Sequence, residues 1–574
     1  MCLPPHASRA FERGTHRSLS VPTAELTAPA ISTHKRVRAA RLVRHLTGPR
    51  LYLALGAAAL AIGALSLLIP STPSYDPWAW LVWGREIVHI NLQTTGGPSW
   101  KPLPMLFTTV FALFGKAQPD LWLVVARAGA VMAVAMVGRI AWRLTRQLAG
   151  GRPSEATGAL RALTFAAPLL AALIAAGSLV NSGGFISDNA LGYSEGLATA
   201  LVLIAVDSYL DGAPRRAFVV GFFAALDRPE LWVFWGPYGL YLWWRDPGAR
   251  KLVLSLFALI PVVWFLPELW GSGHLLRGVT RAQHPRSNSA AFASCPVCRV
   301  FVKEAWPTVL NRVKIPGILA MFAAAFGLWR TRASWWRREP MSAAPQARAW
   351  VLTIGLFGLI WWFGIAVETQ AGFSGNDRYL VFGTAPIAIV GGIAWGWFAL
   401  TVAAALRGLS ERRASGLRRA ATPAFALAAG TAAAVILFLA WPPWIGRNII
   451  SLPRTHRALV YQAHLREDLS KAVGELGGPA RVLSCGSVMT EGFQVPMVAW
   501  TLGVHTLRVQ ATPTGLVPPP WPNVIFQTRA QSNSSLLPSP AQIIAWEHDG
   551  AGYTLAAHVR TFRVFSSCTG RVTL

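Results

Sequence analysis

A ladder of apolar blocks, each about 17 to 22 residues long, runs from position 51 to position 440 and is interrupted by short runs of arginine and lysine. At roughly 1.5 Å per residue such a block crosses a hydrocarbon layer of about 30 Å, and a chain in lipid must satisfy its backbone hydrogen bonds within each segment. The pattern predicts an all-α polytopic membrane protein. Hydrophobic residues make up 53% of the chain and charged residues 14%, more apolar surface than one soluble core of this length would need.

The net charge of +28 could suggest nucleic acid, but the basic residues sit between the apolar blocks rather than on one face or in one domain. That distribution follows the positive-inside rule, and no nucleic-acid partner is expected. It orients spans at 51–70, 121–144, 160–180, 194–209, a hairpin over 218–244, 252–267, 315–329, 351–367, 379–400 and 424–440, or about eleven crossings of the plasma membrane. Residues 1–50 oppose many arginines with only Glu12 and Glu25 and lack an apolar pattern, so a disordered cytoplasmic tail is expected. The block after it lacks a small-residue cleavage site and is expected to be a retained helix.

The membrane domain is expected over 51–441, with large outer loops at 71–120 and 271–314. Residues 442–574 are expected to form a small extracytoplasmic α/β module. It has helical periodicity over 456–476 and strand-like runs at 481–484, 523–526 and 559–565. Cys485 and Cys568 lie in that module and are a disulfide candidate, because an oxidising compartment would preserve the bond. Cys295 and Cys298 form a lone CPVC, half of a structural zinc site at most, so a local disulfide or two free thiols is the expectation.

Charges at membrane depth are costly and usually have a task. Those expected on the outer side are Asp76, Arg85, Glu86, Lys101, Asp188, Glu195, Arg228, Glu230, Asp377 and Arg378. Distant in sequence, they fall together at outer helix ends. Acids mixed with arginine and lysine suit a substrate with an anionic lipid headgroup and a hydroxyl to be activated.

The segment from Asp76 through "GGPSWKPLPMLFTTVFALFG" (Gly96 to Gly115) to "LWLVVARAGAV" (Leu121 to Val131) resembles the first outer loop of polyprenyl-phosphate-sugar-dependent glycosyltransferases of the GT-C fold. Protein O-mannosyltransferases, lipid A aminoarabinose transferases and actinobacterial cell-wall mannosyl- and arabinosyltransferases belong to this superfamily. The matching elements are Asp76, Lys101-Pro102-Leu103-Pro104, Leu113-Phe114-Gly115 and Ala126-Arg127, followed by Glu195 in "SEGLATALVLIAV", "LDRPELW" and "GNDRYLVFGTAPIAIV".

The resemblance implies a polyprenyl-phosphate sugar donor and an extracytoplasmic acceptor: a cell-wall glycan, a lipoglycan or a protein. Asp76 is then the general base of an inverting displacement. Glu195 orients hydroxyls, and Lys101, Arg228 and Arg378 bind the phosphate. Trp80, Arg85, Glu86 and Asp188 are candidate acceptor or sugar contacts. Relatives with a metal place an acid before the Lys-Pro element, where this chain has Trp100, so no metal or other cofactor is expected.

Plainer roles stand beside these. Asp76 before Pro77 suits a helix cap, Trp78, Trp80 and Trp83 suit anchors at the lipid interface, and Lys101 suits snorkelling to lipid phosphates. A transporter or flippase of lipid-linked sugars, or a non-catalytic membrane protein that binds glycan, would also use outer cations.

Overall fold

Helix α1 (Pro49–Leu65) opens the described part of the chain and is apolar around its circumference. The computed structural model describes residues 48–150, 163–286, 288–332, 342–413, 422–442, 450–513, 522–546 and 552–568. The tail expected over 1–50 falls almost wholly outside the described residues, as does the start of the 160–180 span.

Among the described residues, seven helical segments are long and apolar enough to cross a membrane: Pro49–Leu68, Gly115–Leu148, Pro247–Ser272, Asn311–Arg330, Ala343–Gln370, Asp377–Arg412 and Pro423–Ala440. The other expected spans are shorter helices of 15, 16, 12 and 14 residues at Ala166–Val180, Glu195–Leu210, Pro214–Ala225 and Trp232–Arg245. The expected hairpin breaks where its charges lie. Pro229 opens a 3-10 turn that separates the last two helices.

In chain order, α2 (Tyr75–Val88) and α3 (Pro102–Ala112) build the loop expected over 71–120, and α4 (Gln118–Leu148) is a long, largely buried helix. There follow α5 (Ala166–Val180), α6 (Phe185–Ala190), α7 (Glu195–Leu210), α8 (Pro214–Ala225), α9 (Trp232–Arg245) and α10 (Arg250–Ser272). Helix α11 (Arg277–Ala282) lies in the 271–314 loop, before α12 (Asn311–Arg330), α13 (Ala343–Gln370), α14 (Val381–Arg413) and α15 (Pro423–Ala440). Helix α14 sits at the centre because its glycines admit neighbours. A Cβ at Gly391 would stand 2.6 Å from the Val313 carbonyl oxygen, and one at Gly392 2.3 Å from that of Ala171. Small residues of this kind let helix backbones approach closely in a bundle.

The C-terminal region contains α16 (Leu452–Glu475), α17 (Pro479–Cys485), β1 (Val488–Thr490), α18 (Val495–Leu502), β2 (Val509–Ala511), β3 (Val524–Arg529), β4 (Leu536–Leu537), α19 (Pro540–Ala545), β5 (Thr554–His558) and β6 (Arg563–Ser566). Its sheet runs β2-β1-β3-β6-β5, with β4 paired to β3. Strand β1 is parallel to β2 and β3, whereas β6 is antiparallel to β3 and β5, with Val488 opposite Val524 and Ile525 opposite Phe565. The 481–484 run is helical rather than extended. Gly477 and Gly478, both at positive φ, end α16, and Pro479 then fixes the first turn of α17. Cys485 and Cys568 form a disulfide, as do Cys295 and Cys298.

Residues Tyr52 to Leu574 form one compact unit, so the C-terminal region is not separate from the bundle. Trp78, Trp80 and Trp83 share a core with Leu465, Leu469, Val498 and Phe526 of that region. They are 2%, 0% and 0% exposed, which corrects the expectation of lipid-interface anchors. The C-terminal region covers the face of α2 that carries these tryptophans.

Candidate active site

Two X-Pro steps set the floor of the site. Lys101 precedes Pro102 with φ −139° and ψ 110°, and Arg228 precedes Pro229 with φ −139° and ψ 117°. A proline disfavours helical backbone at the residue before it, and both basic residues are extended immediately before a helix. The Leu103 amide donates to the Leu226 carbonyl at 3.0 Å and stitches the two steps together.

Asp76 lies in the first turn of α2. The N-cap is Ser74, no side chain caps the helix, and the Asp76 carboxylate turns to Arg378, which excludes the capping role. Glu195 opens α7, and Arg378 sits in the 3-10 turn that leads into α14. Gly375, at φ +60°, lets the preceding loop pass Thr369, whose Oγ1 would stand 2.3 Å from a Cβ there.

These residues meet in one ion cluster. Lys101 Nζ lies 3.0 Å from Glu195 Oε1, 3.8 Å from Asp227 Oδ2 and 3.3 Å from Ser194 Oγ. Arg378 Nη2 donates to Asp76 Oδ2 at 2.5 Å, and its Nε lies 3.7 Å from Glu195 Oε1. Arg228 pairs with Glu230 at 2.7 Å and reaches to 3.9 Å from Glu195. Glu195 is thus the acid around which all three cations gather. Two tyrosines frame them: the Arg228 guanidinium lies 3.6 Å from the Tyr379 ring centre, and that of Arg378 lies 4.1 Å from the Tyr193 ring centre.

Burial favours a neutral Lys101 amine, but the carboxyl groups of Asp227 and Glu195 outweigh it and hold the ammonium above the ordinary lysine pKa. Asp227 is pushed up by burial despite the attraction of Lys101. Asp188 is pushed well above the ordinary aspartate value, first by burial and then by the charge of Asp377. Lys101 therefore does not snorkel to lipid; it is 8% exposed and engaged by acids.

The cluster lines a cavity of about 1280 Å³. Asp76, Lys101, Asp188, Asp227, Arg228, Glu230 and Arg378 line it, and so do Arg281, Arg286 and Phe493. Arg286 packs 3.5 Å from the Phe493 ring centre and brings the 271–314 loop against the C-terminal region. Among the described residues, no group of three or more His, Cys, Asp or Glu side chains is placed to hold a metal ion.

No family model matches the chain, and no curated protein matches it. Among solved structures it is similar to ArnT from Cupriavidus metallidurans bound to undecaprenyl phosphate, at 12% identity and a TM-score of 0.44 over 91% of this chain and 99% of that one. It is similar to the same protein in the apo state at 12% identity and a TM-score of 0.44, over 90% and 98% of the two chains.

Not every expected contact reaches the cavity. Trp80 is fully buried, edge-on to Trp122, with Lys101 Nζ 5.4 Å from its ring centre. Arg85 donates to the carbonyls of Trp500 and Val504 at 3.1 and 2.8 Å, and Glu86 accepts from the Gln93 amide at 2.9 Å and contacts His505 Nδ1 at 2.7 Å. Arg85 and Glu86 fasten α2 to the C-terminal region instead of lining the cavity. Asp188 does line it. Arg127, from the Ala-Arg element, donates to the Ala190 carbonyl at 2.8 Å and the Ser66 carbonyl at 3.0 Å, tying outer helix ends together. Asp227, Tyr193 and Tyr379 were not among the expected site residues. Each adjoins or nearly adjoins one that was, within "LDRPELW", "GYSEG" and "DRYL".

Proposed function

We propose that this chain is a multi-pass glycosyltransferase that moves a sugar from a polyprenyl-phosphate donor to a hydroxyl of an extracytoplasmic glycan, lipoglycan or protein. The observation that carries the reading is the convergence, from well-separated stretches of chain, of Asp76, Lys101, Arg228 and Arg378 on one cavity, with Glu195 joined to all three cations. The first-loop resemblance supplies the reaction class.

In this mechanism Asp76 takes the proton of the acceptor hydroxyl as its oxygen bonds to the anomeric carbon. The bond from that carbon to the phosphate oxygen breaks, its electron pair stays on the phosphate, and the configuration inverts. Lys101, Arg228 and Arg378 stabilise the charge on the departing polyprenyl phosphate, a task suited to fixed cations in a partly dry site. Glu195 holds those cations in place. With Trp100 before Lys101, the mechanism runs on side chains and calls for no metal. In this reading the N-terminus is cytoplasmic, and the C-terminal region lies outside and forms part of the acceptor side.

A transporter of lipid-linked sugars would use the same cations but would need no base. Membranes carrying the wild type or Asp76→Asn protein, supplied with radiolabelled polyprenyl-phosphate sugars, separate the two. Transfer by wild type and none by the variant supports the reading. Movement of intact donor across the bilayer without transfer would establish the transporter.

A further inference from the structure

The cluster is already neutralised from within. Lys101, Arg228 and Arg378 face Asp76, Glu195, Asp227 and Glu230, so a phosphate entering the cluster finds each of its three cations already beside an acid. To bind one of these three cations, it competes with a carboxylate. The pairs differ in how open they are to the cavity. In the Asp76–Arg378 pair the side chains are 12% and 11% exposed, while every other pair in the cluster has a partner at 5% or less. Arg378 is also the cation whose principal partner is the proposed base.

We infer that Asp76 and the donor phosphate compete for Arg378, so that the donor unmasks the base. This rests on the transferase reading and deepens it. Arg378 Nη2 donates to Asp76 Oδ2 at 2.5 Å, and a carboxylate oxygen so engaged is a poor acceptor for the proton of a substrate hydroxyl. A phosphate beside Arg378 offers the guanidinium a second anion with the planar, bidentate match that arginine favours. Arg378 then turns to the phosphate, with its ring contact to Tyr193 available as the pivot, and Asp76 is freed toward the acceptor. Donor binding thereby precedes acceptor deprotonation, and one arginine serves both halves of the reaction in turn.

Thermodynamic reciprocity gives the test. If phosphate binding weakens the hold of Arg378 on Asp76, then removing the Asp76 charge must strengthen phosphate binding by the same factor. Binding of undecaprenyl phosphate is measured on full-length wild type, Asp76→Asn, Arg378→Gln and the double variant in lipid nanodiscs. The expected result is that Asp76→Asn binds tighter by roughly 5- to 150-fold, the range of ordinary coupling, and that this gain vanishes in the Arg378→Gln background. Equal binding by wild type and Asp76→Asn would overturn the competition while leaving the transferase reading intact. A gain that persists without the Arg378 charge would also overturn it, since the effect would then be a general field. No binding by any of the proteins would sink the donor reading itself. The asparagine variant preserves shape, and a thermal melt of each protein shows that loss of binding is not loss of fold.

Discussion

Lys101 Nζ lies 3.0 Å from Glu195 Oε1 and 3.8 Å from Asp227 Oδ2, so one buried ammonium serves as counter-ion to two buried acids. Removing it leaves both acids without that cation in a dry setting. Lys101→Ala is expected to lower stability by about 3–5 kcal/mol, the usual cost of breaking a buried pair from one side. Because the folded state holds the Lys101 pKa above its ordinary value of 10.5, its contribution is fully present below that value and is lost as pH rises through the raised one. Thermal melts should therefore show a constant gap between wild type and variant through neutral pH that closes only in strong alkali.

Asp76→Asn keeps the shape of the side chain and removes its ability to take a proton. If Asp76 is the general base, the turnover number for transfer falls by about 10²- to 10⁴-fold. Steady-state rates on protein of matched purity and monodispersity measure it. A variant that transfers at the wild-type rate would remove Asp76 from the mechanism.

The residues of the ion cluster were legible in the sequence because a charge beside a long apolar block must either sit at a helix end or be matched by another charge. Asp76, Lys101, Glu195, Arg228 and Arg378 all obey that logic, and the structure gathers them. Arg85 and Glu86 obey it equally well, yet they serve a different junction, with Trp500, Val504 and His505. Nothing local distinguishes the two fates, because the partners lie more than 400 positions away. The tryptophans of α2 illustrate the same limit. Indole side chains suit a membrane interface and a protein core alike, and only the docking of the C-terminal region decides between them. Strand-like apolarity at 481–484 was overridden by the neighbouring glycines and Pro479, a turn signal stronger than the β preference of two residues.

Arg85 gives that docking an experimental handle. Its two carbonyl partners would lose their charged donor in Arg85→Ala, at a cost of about 1–3 kcal/mol. Limited proteolysis of the membrane-embedded protein is expected to release the C-terminal region faster from the variant. Arg85→Lys, which can restore one contact but not the fork, should fall between the two. Equal cleavage rates would show that the tryptophan core alone holds the junction.

The Cys485–Cys568 disulfide spans 83 positions and ties the last residue of α17 to the chain just beyond β6. In the chain-entropy account, such a link stabilises by limiting the unfolded ensemble, typically by about 2–4 kcal/mol. Paired Cys485→Ser and Cys568→Ser substitutions should lower the melting temperature, and a reductant should lower that of the wild type toward the same value. Insensitivity to reductant and to substitution together would count against a stabilising role.

Asp188 makes the opposite prediction from Lys101. Its carboxyl is pushed well above the ordinary value of 3.8 by burial and by the neighbouring Asp377, so ionising it costs the folded state more than the unfolded one. The sign follows directly: this group subtracts stability at neutral pH, and the penalty shrinks as pH falls through the raised pKa and is gone below 3.8. Asp188→Asn should accordingly melt at a higher temperature than wild type at neutral pH, with the difference fading on acidification. A variant that melts lower at neutral pH would mean that the Asp188 charge is supported by a partner, and the cavity wall around Asp377 and Arg378 would then need that charge for its integrity.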